Sequence, residues 1–170
     1  MTATDADAEP PDRARRAFAD HDAFEPADDA WRVATTAFDA AVSADPTETE
    51  RLRFTVRVTV PTLSAVTADT VADVVEEGWT ETFERRVVDV GGVTRGDGEF
   101  DPRVAVDDGG VTVTFELRDE NAARAVDDAK ALVDFVEGTY VQGVIPGYEY
   151  TEPVSDLLSA ARRQGNDGAV

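Results

Sequence analysis

Between positions 52 and 60 every even residue is apolar (Leu52, Phe54, Val56, Val58, Val60), while Arg51, Arg53, Thr55, Arg57 and Thr59 hold the odd positions. Successive side chains of a strand point to opposite faces, so such a segment buries one face and leaves the other wet. A helix would scatter the same residues around its axis. The run therefore calls for a sheet covered on one side only. Val111, Val113, Phe115 and Leu117 repeat the alternation after Asp107-Asp108-Gly109-Gly110, and with Val104 and Val106 before that turn they predict a hairpin. Upstream, Trp31, Val33 and Thr35 share one phase and Phe38, Ala40 and Val42 the other. That shift predicts a strand with a bulge or sharp bend near Thr36, and the turn signal Ala44-Asp45-Pro46-Thr47 joins it to the 52–60 strand as another hairpin.

Helical spacing fills the intervals. Asp12 is a plausible N-cap for a helix carrying Ala14, Ala17, Phe18 and His21. Thr67 or Thr70 can cap a helix whose stripe is Val71, Val74, Val75, Trp79, Phe83 and Val87, interrupted by Gly78, which marks either a kink or a close approach beside Trp79. Asp119 is expected to cap the most regular helix, with Ala122, Ala125, Val126, Ala129, Leu132, Val133 and Val136 inward and Gly138 in position to stop it. Thr151 and Pro153 open a last helix with Val154, Leu157, Leu158 and Ala161 inward. The order is α-ββ-α-ββ-α-α. Paired strands separated by helices point to an α+β fold, an antiparallel sheet from two hairpins with helices packed on one side. Residues 11–164 read as a single domain between disordered tails at 1–10 and 165–170, and residues 91–101 as a mobile loop.

Charge bears on the environment rather than on the fold. The chain holds 36 Asp and Glu against 16 Lys and Arg, a formal net charge of -20, with Lys130 its only lysine. Self-repulsion on this scale strains a compact domain in dilute buffer, but at ~1 M salt the Debye length shrinks to about 3 Å and the penalty largely vanishes. A G+C-rich genome would deplete lysine as well, yet it would enrich arginine and leave the acidic surplus unexplained. The expectation is a soluble cytoplasmic protein of an extreme halophile. The start MTATDADAEP lacks the basic and apolar regions of a signal peptide, and no apolar stretch approaches the ~20 residues that span a bilayer.

The same inventory narrows the chemistry. With no cysteine, neither a disulfide framework, a thiolate nucleophile nor a Cys-based zinc site is possible, and a single histidine, His21, excludes a His-rich metal site. Asp20-His21-Asp22 reads as a helix-end histidine paired with local charge, not as a general base. Gly92, Gly96 and Gly98 lack dinucleotide-fingerprint spacing, and residues 97–101 lack the regular ligand positions of a calcium loop. The best concentrated positive surface is the wet face carrying Arg51, Arg53 and Arg57, which neighbouring acids should neutralise, so no nucleic-acid partner is expected. No catalytic residue, metal site or cofactor is assigned.

One stretch stands apart. Residues 137–150, EGTYVQGVIPGYEY, hold all three tyrosines, the only isoleucine, three glycines and a proline. Glycine permits close backbone approach, Pro146 stiffens the loop, and tyrosine offers apolar area with a polar tip. Such a loop serves either as a plug over the open end of the sheet or as a preformed recognition surface. In the second case Tyr140, Gln142, Pro146, Tyr148 and Tyr150 are the candidate binding residues. The segment VEGTYVQGVIPGYEY, with Pro61-Thr62-Leu63, Glu77-Gly78-Trp79 and Glu84-Arg85-Arg86, resembles a family of small acidic haloarchaeal proteins of unknown function. That resemblance implies no activity, cofactor or partner. The element order is also loosely similar to secretion-chaperone-like folds, which hold a partner segment. Two functional classes follow: a noncatalytic protein-binding or chaperone-like module, monomeric or homodimeric, that presents the loop to another protein, or a small-molecule-binding domain or small enzyme with a pocket beneath it. If the acidic surplus is salt adaptation, the melting temperature should climb steeply as KCl is raised towards multimolar concentrations, and a flat series of thermal melts would remove the halophile argument.

Overall fold

The two alternating segments pair with each other. In the computed structural model, which describes residues 10–90 and 102–167, strands β4 (Leu52–Pro61) and β6 (Gly110–Asp119) run antiparallel from Leu52 opposite Asp119 to Pro61 opposite Gly110. This register sets Phe54 beside Leu117, Val56 beside Phe115 and Val58 beside Val113, so both apolar rows share one face and are buried. A slip of one residue would turn every one of them to water. On the other side of β4 lies β3 (Asp39–Pro46), and on the other side of β6 lies β5 (Arg103–Val106), whose turn is closed by Asp107 accepting at Oδ1 from Gly110 N at 3.0 Å.

A further hairpin extends the sheet. Strands β1 (Phe24–Ala27) and β2 (Ala30–Val33) pair around a turn in which Asp28 takes φ 49°, and β2 joins β3. Among the described residues the sheet thus has six strands in the order β1-β2-β3-β4-β6-β5. Residues 31–42 form two strands rather than one, and the break falls at residues 34–38, where the hydrophobic phase changes. Thr36 holds that break by donating to Glu137 Oε1 at 2.8 Å. Pro26 concealed β1 in the sequence, because proline cannot donate to a ladder. It is tolerated here because β1 is an edge strand.

Helices cover the apolar face: α1 (Asp12–Ala19), α2 (Asp73–Val88), α3 (Ala122–Gln142) and α4 (Val154–Asp167). The α+β class is that read from the sequence and the element order agrees with it once the edge hairpin is added, whereas the caps do not. Pro11, not Asp12, precedes α1, and α2 starts after Ala72 with no side-chain cap, while Thr67 donates to Asp69 O. Asn121 caps α3 by accepting from Arg124 N at 3.0 Å. Asp119 lies just outside that cap, where it accepts from Asn121 N and takes both ends of the Arg124 fork at 2.8 and 2.6 Å. The guanidinium holds its carboxyl below the usual carboxylate range, although burial pulls the other way. His21 bonds outside its own segment, with Nε2 3.2 Å from Asp127 on α3 and Nδ1 accepting from Ala23 N.

Two aromatic clusters anchor this layer. Phe18 stacks on Trp31 at 4.1 Å and meets Phe24 and Phe54, which fixes α1 over the sheet. The second surrounds Tyr140, described below. The expected tail at 1–9, the loop at 91–101 with its calcium-like residues, and positions 168–170 lie outside the described residues.

Gly138 does not stop α3, which continues to Gln142 and ends at Gly143. A Cβ built at Gly138 would meet no atom within 4 Å. Helix propensity and lost chain entropy then act without a steric penalty, so Gly138→Ala should stabilise the domain by about 0.5–1 kcal/mol in urea unfolding. A destabilised variant would show that the glycine has a packing role.

Candidate binding groove

The continuation of α3 divides the tyrosine segment in two. Residues 137–142 are helical, and Tyr140, only 1% exposed, points into the core. Its hydroxyl donates to Pro61 O at 3.0 Å at the end of β4, and its ring meets Phe38, Trp79 and Phe83 edge-on at 4.8, 5.3 and 5.9 Å. Burial pushes its phenol well above the usual tyrosine range. Tyr140 is a plug. It ties α3 to β4 and gives Trp79 and Phe83 of α2 a surface to pack on.

Residues 143–150 form the irregular part. Tyr150 Oη donates to Ile145 O at 2.6 Å and accepts from Ile145 N at 3.0 Å, closing the segment into a ring. The ring is fastened to the chain after β4: Ala68 N donates to Glu149 O, Glu149 N to Asp69 Oδ2 at 2.7 Å and Thr151 N to Val66 O at 2.7 Å. Gly147 takes φ 100° at its tip, a conformation that favours glycine. Pro146 and Gln142 are exposed, while Tyr148 and Tyr150 are half-buried with their rings 6.5 Å apart.

Of the five candidate residues, only Gln142 borders an apolar groove of the described surface. This groove, about 350 Å³, runs along α2 beside the end of α3, between Val75, Trp79 and Phe83 on one side and Gln142, Gly143 and Ile145 on the other. Pro146, Tyr148 and Tyr150 lie outside it, and Tyr140 is beneath its walls. The sequence stripe placed Val74 inward, but it stands 74% exposed at one end of the groove. Gly78 does not interrupt α2, and nothing packs closely beside it, since a Cβ there would meet nothing within 4 Å. It forms an open floor.

The polar groups of the groove are unevenly engaged. Thr82 donates to Gly78 O and Thr139 to Phe135 O, both at 2.8 Å, so their protons are used within their own helices. Trp79 is only 6% exposed, and its indole Nε1–H, which meets no protein acceptor among the described residues, is the part that stays open to solvent. That nitrogen is 3.8 Å from where a Cβ of Gly143 would sit, in the groove wall. At the far end the exposed Arg86 guanidinium has no acidic partner among the described residues. A larger basin of about 590 Å³ lies at the β3–β4 turn, but it is polar, and its Arg53 already faces Asp45 at 3.9 Å.

The segment from before β1 to within α4 identifies the family. Residues 19–160 match a family of unknown function, DUF5813. The chain belongs to it. The match takes in α2, α3 and the ring at 145–150, hence both walls of the groove in this DUF5813 member. Comparison with curated proteins finds no match, and comparison with solved structures finds none.

The tyrosines should separate in a mutational series. Tyr140→Ala removes a buried aromatic and should cost about 3–5 kcal/mol, whereas Tyr148→Ala, at a half-buried ring, should stay within about 1 kcal/mol. Equal losses in chemical unfolding would contradict this assignment of plug and surface.

Proposed function

We propose that this DUF5813 member is a noncatalytic protein-binding module of a salt-rich cytoplasm, chaperone-like in holding a segment of a partner, and that the groove between α2 and the end of α3 seats an apolar side chain of that partner. The observation that carries this reading is an apolar trough left open on an otherwise acidic surface, with Val74 exposed beside it and Gly78 leaving space for an incoming group. Small-molecule sites bury most of their ligand's surface. This groove is open along the length of α2, a form better matched to a polypeptide. Its lining residues include no carboxylate or imidazole, which favours holding over acid–base chemistry. High salt supports the same mode, since screening weakens charge pairing while apolar burial persists.

A photo-crosslinking amino acid at Thr82, inside the groove, should capture a partner in cells kept at high KCl, and the same probe at Thr55 on the wet sheet face should not. Combining the Thr82 probe with Gly78→Leu, which fills the floor, should abolish the adduct without loss of fold. An adduct pattern indifferent to Gly78→Leu would refute the groove as the binding site.

A further inference from the structure

The polar groups of the groove specify more than an apolar occupant. Resting on the reading just given, we infer that the occupant is an extended acidic segment of a partner protein. Its apolar side chain sits over Gly78, a main-chain carbonyl accepts from Trp79 Nε1–H, and a carboxylate meets Arg86.

Three independent features converge on this chemistry. The first is an unfilled apolar floor. The second is the donor: the Trp79 Nε1–H lies in the groove wall beside Gly143, open to solvent and taken by no protein acceptor among the described residues, so an occupant can accept from it in place of water. An extended main chain supplies carbonyls at every residue without needing any particular side chain. The third is the charge of the lining. Arg86, which like Arg57 and Arg85 has no acidic partner among the described residues, is the one charged residue that lines the groove, and no acid lines it beside Arg86. Spacing fixes the form of the segment. From Gly78 to Arg86 is eight steps of helix, about 12 Å at 1.5 Å each, which three to four residues of extended chain at roughly 3.3 Å each would cover. At about 1 M salt a pair that only approaches is screened, so the carboxylate contributes through direct contact with the guanidinium fork and adds selectivity rather than most of the affinity.

The test uses the full chain at high KCl and capped nonapeptides of glycine and serine carrying one leucine and, three residues later, one aspartate. Binding is read by fluorescence polarisation and by the indole ¹H–¹⁵N resonances, with Trp31, stacked on Phe18 under α1, as internal reference. The Trp79 resonance should shift and the Trp31 resonance should not. Removing the leucine should weaken binding at least about tenfold. Trp79→Phe, which keeps a ring on Phe83 but deletes the donor, should weaken it roughly threefold to tenfold, and replacing the aspartate by lysine should have an effect of similar size, reversed in Arg86→Glu.

If the leucine requirement and a block by Gly78→Leu persist while the aspartate, Arg86 and the indole proton prove irrelevant, the groove is an apolar docking site and the acidic-segment inference falls alone. If no peptide moves the Trp79 resonance, both readings fall. A wild-type dimer in sedimentation that Gly78→Leu converts to monomer would make a second copy of this chain the occupant and overturn the inference. Near-UV circular dichroism of each variant establishes that the aromatic packing is intact.

Discussion

The hydrogen bond from Tyr140 to the Pro61 carbonyl is the contact on which the groove depends. It joins the last turn of α3 to the end of β4, and the ring it anchors is the surface on which Phe38, Trp79 and Phe83 pack. A buried hydroxyl without a partner carries a full desolvation penalty, so the bond constrains where α3 can end. Extended past Gly138 to reach this position, α3 brings Gln142, Gly143 and Ile145 alongside α2. One aromatic side chain therefore settles the helix length, the position of α2 and the width of the trough between them.

The sheet provides the rigid base for that arrangement. Its central pair, β4 and β6, is matched over ten positions, and its core face is covered by α1 and α3. The opposite face carries threonines and arginines paired in part with Asp45 and Glu116, an ordinary solvated surface of an antiparallel sheet. Function is better sought where apolar surface is uncovered, and within the described residues that occurs most clearly along α2. The contrast is physical: a strand's wet face can satisfy itself with neighbouring charges, whereas the apolar surface of a bare valine cannot.

Parts of this architecture were legible in the residues and parts were not. The alternation at 52–60 and 111–117 determines two half-buried strands, because a period of two has no other economical solution, and the 3.6-residue stripes at 71–87 and 122–136 point to the helices packed over them, although Val74 of the first stripe stands exposed. The first hairpin was hidden because Pro26 and Glu25 oppose strand formation locally, and only pairing with β2 at an open edge offsets that preference. Gly138 carried a stop signal that tertiary contacts at Tyr140 override. Caps were misplaced by one to five residues because Asp119, Asn121, Thr67 and Thr70 are all plausible capping side chains until the backbone sets which, if any, meets the helix's first N–H groups.

The tyrosine segment shows the same division at the level of function. Its composition alone determined that it must be partly buried, since tyrosine and isoleucine so concentrated in an acidic chain cannot all be solvated cheaply, and left plug and recognition surface both open. Which residue does which was decided by tertiary structure: Tyr140 was drawn into the core by its hydroxyl bond, Tyr150 was spent on closing its own loop, and Gln142 and Ile145 were left as one wall of a groove. The opposite wall comes from Val75, Trp79 and Phe83, more than fifty residues earlier in the chain. No pattern local to either segment encodes their meeting. It arises because α3 packs on the sheet and α2 packs on α3, and the space left between the two helices is a property of their packing rather than of either sequence.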